Sequence, residues 1–285
     1  MTSPTLSQIA AATASTARSN QAVDAVTVES QAIATQVLQT LTAAEELIAG
    51  AETPLVAEPT LSVVIPVYNE PVTVLEIVSR VRALPIAKQI IVVNDGSTDG
   101  TAETLLALTE FPEVEVLHHE VNRGKGAALQ TGFERARGEF VIVQDADLEY
   151  DPQDILKVIA PLQSGESQVV FGSRYLEQAD QDPSWIHRFG NWALTTMSNV
   201  LTGHRLTDME TCYKAFRRDV LTQIHIEQCR FGFEPEITAK LAHNGISIRE
   251  VGVSYAYRSH DEGKKIGWRD LISAIYCIVR YSLFR

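Results

Sequence analysis

The chain has 285 residues, 24 basic against 36 acidic, and its formal charge of −12 excludes a general nucleic-acid binder, because neutralising phosphates needs a basic face. Apolar residues make up 45% and charged residues 21%, an ordinary globular composition that excludes wholesale disorder. Cys212, Cys229 and Cys277 lie far apart with no CxxC pair, so neither a disulfide framework nor a zinc site is expected, and a reducing cytoplasm is the expected compartment.

Residues 1–60 are rich in Ala, Thr, Ser and Gln and carry Arg18 against six acidic residues. They are expected to form a low-complexity extension, flexible or helical, that ends in a linker marked by Pro54 and Pro59. No stretch reaches the roughly 18 to 20 apolar residues of a membrane span, and the N-terminus lacks the basic-then-apolar order of a secretory signal. From residue 61 the pattern alternates. Leu61 to Val67 reads as a strand buried on both faces, and Val74, Ile77, Val78 and Val81 recur at helical spacing. A strand at Gln89–Val93 ends in the turn-rich NDGSTDG; another is predicted near Val114–Leu117, then a helix from about Gly126 to Ala136 and a strand at Phe140–Val143. A helix after Pro152 and a strand at Val169–Gly172 follow. Helices at 185–201 and 234–243 enclose a region of mixed pattern, and a strand at Ser247–Val253 and a helix at about 268–284 close the chain. This order predicts an α/β fold, a mainly parallel sheet with helices on both faces and a ligand beyond the carboxyl ends of the strands.

Each of three strand ends carries a polar cluster: Pro66-Val67-Tyr68-Asn69-Glu70, Asn94-Asp95-Gly96-Ser97 and Asp145-Ala146-Asp147-Leu148-Glu149. In a parallel sheet all three open onto one rim. Carboxylates at Asp145 and Asp147 suit one hard divalent cation, Mg²⁺ or Mn²⁺, or a cation and a ribose hydroxyl; a solvated acidic turn is the alternative for such a pair taken alone. Glu70 equally reads as a first-turn helix acid, and Asp95 as ordinary turn chemistry. Asn122-Arg123-Gly124-Lys125-Gly126 lacks GxxxxGK[ST], which excludes a P-loop and leaves a phosphate-approaching loop or a tight turn into a helix.

Together SVVIPVYNE at 62–70, VVNDGSTDGT at 92–101, NRGKGAALQTGF at 122–133, QDADLEY at 144–150, FGSRY at 171–175 and TDMETCYKAF at 207–216 resemble a family 2 glycosyltransferase of the GT-A fold, most similar to its polyprenyl-phosphate sugar transferases. The resemblance covers about 61–265, leaving residues 1–60 as the extension and 266–285 as a C-terminal amphipathic helix. It implies that Pro66, Tyr68, Glu70, Val93 and Asp95 line a nucleotide pocket, with Asp145 and Ala146 beside them, and that Asp145, Asp147 and Glu149 surround the metal. Glu149 stands where such enzymes often have Gln. It also implies that Arg174 faces a phosphate, and that Arg258 and Lys264 close over the donor pyrophosphate. Where many relatives read SGFR this chain has Thr211-Cys212-Tyr213-Lys214, which replaces a planar fork by a point charge and bears on the acceptor.

The activity expected is metal-dependent, inverting transfer of a hexose from GDP-mannose or a UDP-hexose to a polyprenyl phosphate. A glycan hydroxyl is the alternative acceptor; it would need a carboxylate base, for which Asp208 or Glu210 is the candidate, Asp208 also reading as a helix cap or partner of Arg205. A lipid phosphate is already anionic and gives Arg174 the larger part, as acceptor clamp. A sugar-phosphate nucleotidylyltransferase would have a Gly-rich loop with Arg after the first strand, where this chain has VYNEP. A non-catalytic nucleotide-sugar scaffold is the remaining alternative. Six basic residues (258, 264, 265, 269, 280, 285) against three acidic ones (261, 262, 270) place a local positive charge near the closing helix. That suggests peripheral contact with the cytoplasmic face of a membrane; packing of the helix on its own domain is the alternative.

Overall fold

The computed structural model describes residues 59–176, 185–230, 232–257 and 268–284. The expected extension over residues 1–60 therefore lies almost entirely outside the described residues, as do Arg258 and Lys264.

Seven strands form one sheet: β1 (Leu61–Val67), β2 (Lys88–Asn94), β3 (Val114–His118), β4 (Phe140–Val143), β5 (Val169–Ser173), β6 (Lys214–Arg217) and β7 (Arg249–Gly252), in the order β3-β2-β1-β4-β6-β5-β7. β1 sits between two parallel neighbours, Val63 facing Ile90 on one side and Ile142 on the other. Its residues are almost all buried, as an apolar β-branched run between two helical layers must be. The helices are α1 (Val74–Arg82), α2 (Thr101–Leu105), α3 (Lys125–Arg135), α4 (Ile155–Gln163), α5 (Trp185–Thr202), α6 (Arg218–Leu221), α7 (Phe233–His243) and α8 (Trp268–Leu283). α1 buries the stripe Val74, Ile77, Val78 and Val81. α3 buries Ala127, Ala128 and Leu129, and Gly132 lets it approach β1 so closely that a Cβ there would collide with Val64.

Parallel pairing with helical crossovers is the predicted architecture, and strand and helix bounds agree to within two residues at most ends. One strand differs. β6, in the stretch that reads only as mixed pattern, runs antiparallel to both β4 and β5, with Ala215 opposite Ile142 and Val170. Four residues are too short for a periodicity to show, and the strand exists because it fills the space between two parallel strands. The consequence is directional: the chain enters β6 from the rim where β4 and β5 end, so residues 207–213 are delivered to the same edge as the acidic clusters.

α8 packs on α5 and α7 and buries Ala274, Cys277, Ile278 and Tyr281, so the closing helix is part of the domain. α8 leaves Ile272, Tyr276 and Leu283 exposed, and α5 leaves Trp185, Phe189 and Trp192 exposed. Among the described residues no helix is long and apolar enough to cross a membrane.

Candidate active site

A cavity of about 390 Å³ opens at the carboxyl ends of β1, β2 and β4. Pro66, Tyr68, Glu70, Asp95, Asp145, Ala146, Asp147, Glu149 and Arg174 all line it, so three strand-end clusters separated by up to 80 positions do converge. Val93 does not line it. Its side chain is wholly buried in the core with Val64, Ile91 and Ala128, because a central strand is covered on both faces and only residues beyond its end reach the rim.

The rim is built by side chains that pin loops. Asn69, in the left-handed region at φ 54°, accepts from the Thr98 amide at its side-chain oxygen (2.9 Å) and donates its own amide to Ser97 Oγ (3.0 Å), which ties the β1 and β2 loops together. Glu70 accepts from Thr73 Oγ1 (3.0 Å) and lines the cavity; it lies before α1, whose first-turn acid is Glu76, so it is not the first-turn helix acid it could be read as. Asp95 is buried: Oδ1 accepts from the Arg123 amide (2.9 Å) and lies 2.7 Å from His119 Nδ1, and Oδ2 accepts from the Gly124 amide (2.7 Å). Asp95 thus anchors the Asn122–Gly124 turn that starts α3, where Gly124 takes φ 99°. That turn places Lys125 in the cavity.

Lys125 Nζ lies 2.9 Å from Asp145 Oδ1, 2.9 Å from Cys212 Sγ and 3.5 Å from Glu234 Oε1. Burial opposes its charge, but Asp145, Cys212 and Glu234 hold it protonated well above the ordinary lysine range. Cys212 also hydrogen-bonds Asp145, and burial followed by Asp145 pushes its thiol up. Asp147 has the opposite problem: burial, then Asp145 and Glu149, raise its carboxyl to about 7. Leu148 between them is held at φ 63°, a strained conformation for a branched residue that presents Asp147 and Glu149 on one turn. Glu149 accepts from Tyr255 Oη (2.7 Å).

Another wall of the cavity is built on one ion pair. Arg174 Nε and Nη2 each donate to Asp208 at 2.7 Å, and its amide adds a third bond (3.1 Å). Asp208 is fully buried, and its partner is Arg174, not Arg205. The guanidinium, lodged 5.2 Å from the Tyr255 ring, also lines the cavity. Lys214 is equally buried. Its Nζ donates to the carbonyls of Met209 and Thr211 (2.7 Å each) and sits 4.0 Å over Phe171; burial pulls it down to about 8. It braces a loop rather than facing a ligand, so its replacement of Arg does not bear on the acceptor directly.

Lys125, Glu210, Cys212, Arg230, Glu234 and Tyr255 also line the cavity. The sequence motifs contain Lys125 and Cys212 without indicating their direction, and Glu234 carries no local signal at all.

Among the described residues, no three acidic, histidine or cysteine side chains come together as a metal cage. Asp147 and Glu149 nevertheless fit a hard cation that takes its other ligands from phosphate and water: both are oxygen donors, and their crowding with Asp145 is a repulsion that a cation relieves.

An α/β sheet whose rim gathers strand-end carboxylates around one cavity, lined also by a carboxylate-held arginine, belongs to the class of open α/β folds that bind ligands at the carboxyl ends of their strands. Residues 62–224 match glycosyl transferase family 2, and the chain belongs to that family. It is 31% identical over 227 residues to the polyprenol monophosphomannose synthase of Mycolicibacterium smegmatis, covering 76% of this chain and 85% of that one. It is also 31% identical over 225 residues to the undecaprenyl-phosphate 4-deoxy-4-formamido-L-arabinose transferase of Aeromonas hydrophila, a match that spans 77% of this chain and 66% of the relative's length. The fold is shared with glucosyl-3-phosphoglycerate synthase from Mycobacterium tuberculosis, solved with Mn²⁺, UDP-glucose and phosphoglyceric acid (TM-score 0.60, 21% identity, 79% of this chain and 80% of that one).

Proposed function

We propose that the protein transfers a hexose from a nucleoside-diphosphate sugar to a polyprenyl phosphate. The observation that carries this reading is the shared cavity: the acidic rim, suited to a metal-bound diphosphate, and Arg174, suited to an anionic acceptor, line the same space. The names of the two sequence relatives, both acting on polyprenyl phosphates, support the acceptor class.

In this reading Tyr68, Glu70 and Asp95 bound the nucleotide end, and Asp145, already neutralised by Lys125, stands beside it. Asp147 and Glu149 would hold a Mg²⁺ or Mn²⁺ ion, which would supply positive charge to the departing diphosphate. Arg174 receives the acceptor phosphate with the donors Asp208 leaves available, and Asp208 fixes their direction. The acceptor oxygen attacks the anomeric carbon as its bond to the diphosphate breaks, so the configuration inverts. A phosphate acceptor brings its own negative charge and needs no base, which agrees with both oxygens of Asp208 being engaged by Arg174. Arg258 and Lys264 are assigned to the diphosphate on the resemblance alone.

The apolar sides of α5 and α8 support peripheral docking on the cytoplasmic face of a bilayer, where a polyprenyl tail resides. Indole and phenol rings at Trp185, Trp192 and Tyr276 suit its interface.

Purified protein with Mn²⁺ should move labelled sugar from GDP-mannose or a UDP-hexose into a polyprenyl-phosphate product, and Asp147→Asn should abolish this. Label released only to water would refute the acceptor. Sedimentation with anionic vesicles that is unchanged by Ile272→Glu/Tyr276→Glu would refute the docking.

A further inference from the structure

The segment Thr207–Tyr213 is tied at nearly every backbone position. The Asp208 amide donates to Glu250 Oε1 (3.0 Å) and the Met209 amide to Thr195 Oγ1 (3.1 Å). Lys214 Nζ takes the carbonyls of Met209 and Thr211, the residues on either side of Glu210. Thr211 Oγ1 donates to the Gly172 carbonyl (2.5 Å), and the Cys212 amide donates to Tyr150 Oη (3.2 Å). One group is left over. Glu210 lines the cavity, and its Oε1 is buried without a hydrogen-bond partner. A buried carboxyl oxygen with no donor costs free energy comparable to a lost hydrogen bond, and the tied backbone around Glu210 holds its Cα at the cavity.

Its place in the loop says what should meet it. Two residues before Glu210, Asp208 holds the arginine assigned to the acceptor phosphate; two residues after, Cys212 hydrogen-bonds Asp145 on the donor side. The group in flight during transfer lies between leaving diphosphate and acceptor, and Glu210, flanked in the chain by a residue that meets each side, lines the cavity they share. We infer that Glu210 is a specificity-determining residue whose carboxyl accepts a hydrogen bond from a hydroxyl of the transferred sugar, an inference that rests on the transferase reading above. The surroundings favour a neutral partner over a cation. Arg174 already neutralises Asp208, and Lys125 stands 3.5 Å from Glu234. Burial, then Glu234, raises the Glu210 carboxyl to about 8, which keeps it largely uncharged at neutral pH and matched to a hydroxyl.

The test is calorimetric titration of UDP, GDP, UDP-glucose, UDP-galactose and GDP-mannose, with Mn²⁺, into wild type, Glu210→Ala and Glu210→Gln, alongside turnover and Tm. A sugar reader predicts that Glu210→Ala weakens the sugar conjugate roughly 10- to 100-fold while the affinity for the bare nucleotide stays within about twofold. Glu210→Gln, which keeps an acceptor oxygen, should recover most of that loss. Equal weakening of nucleotide and conjugate with a lowered Tm would make Glu210 structural and overturn the inference. Unchanged affinities with a fall in kcat alone would make it a base and overturn it equally. Wild type that binds none of the five would overturn the transferase reading itself.

Discussion

Replacing Asp208 by Ala separates a residue that positions from one that abstracts a proton. The carboxylate is fully buried and takes three bonds from Arg174, two of them at 2.7 Å from the guanidinium. Removing one partner of such a pair typically costs about 3–5 kcal/mol, because a buried charge is left uncompensated. The Arg174 side chain keeps 18% exposure, so water can reach it and the lower end, about 3 kcal/mol, is expected. For a domain of this size that is a fall of roughly 6–12 °C in Tm. Arg174→Ala should cost a similar amount by stranding Asp208, and the double variant should be less destabilised than the sum by about 2 kcal/mol. Calorimetry of the four proteins gives that coupling, and a transfer assay over a range of polyprenyl phosphate gives its functional side: acceptor KM rises in both single variants. Additivity within about 0.5 kcal/mol would refute the account of the pair. So would an Asp208→Ala protein with unaltered Tm and acceptor KM that loses only kcat.

Mn²⁺ should raise the Tm of the wild type but not of Asp147→Asn. Because protons compete for a carboxyl held at about 7, the shift should be larger at pH 8 than at pH 6, as a thermal scan at both pH values would show. Glu210 titrates near its ordinary value when unfolded and at about 8 when folded, facing Glu234, Lys214, Arg174 and Asp208. Its contribution to stability is therefore intact below the unfolded pKa and is lost as pH rises through the folded one. Wild type should lose Tm faster than Glu210→Gln between pH 5 and 9, and parallel curves would refute the assignment. Gly126→Ala should fail to reach native stability, since its Cβ would meet the Gln228 carbonyl, a backbone atom that cannot swing aside; a soluble variant with unchanged Tm would show that the α3 contact gives way.

Much of this was legible because it is local. β1 announces itself through an unbroken β-branched run, α1 through four apolar residues at helical spacing, and the three strand ends through acids that no core would accept. Once strands alternate with helices, parallel pairing follows, and with it the convergence of Tyr68, Asp95 and Asp147 on one rim. The resemblance implies that Val93 lines the pocket with Asp95; Val93 lies within β2 and is buried in the core, whereas Asp95 lies just beyond the strand end and lines the cavity.

The remaining features depend on distance in space and not along the chain. β6 is too short to carry a period, and its antiparallel direction is set by its neighbours, yet that direction brings Glu210 and Cys212 to the cavity and Asp208 to Arg174. Asp208 read alone is a cap, a base or a surface partner; only tertiary contact shows Arg174 covering both its oxygens. In sequence Lys214 is a charge-keeping replacement for Arg that bears on the acceptor; only the tertiary structure shows its ammonium bound to two backbone carbonyls. Composition and periodicity determine which segments are buried and which become strand or helix, because both follow from nearest neighbours and solvent. Which charge meets which is decided when segments up to about a hundred residues apart close on one cavity, since each ionised group then takes the partner that geometry leaves within reach.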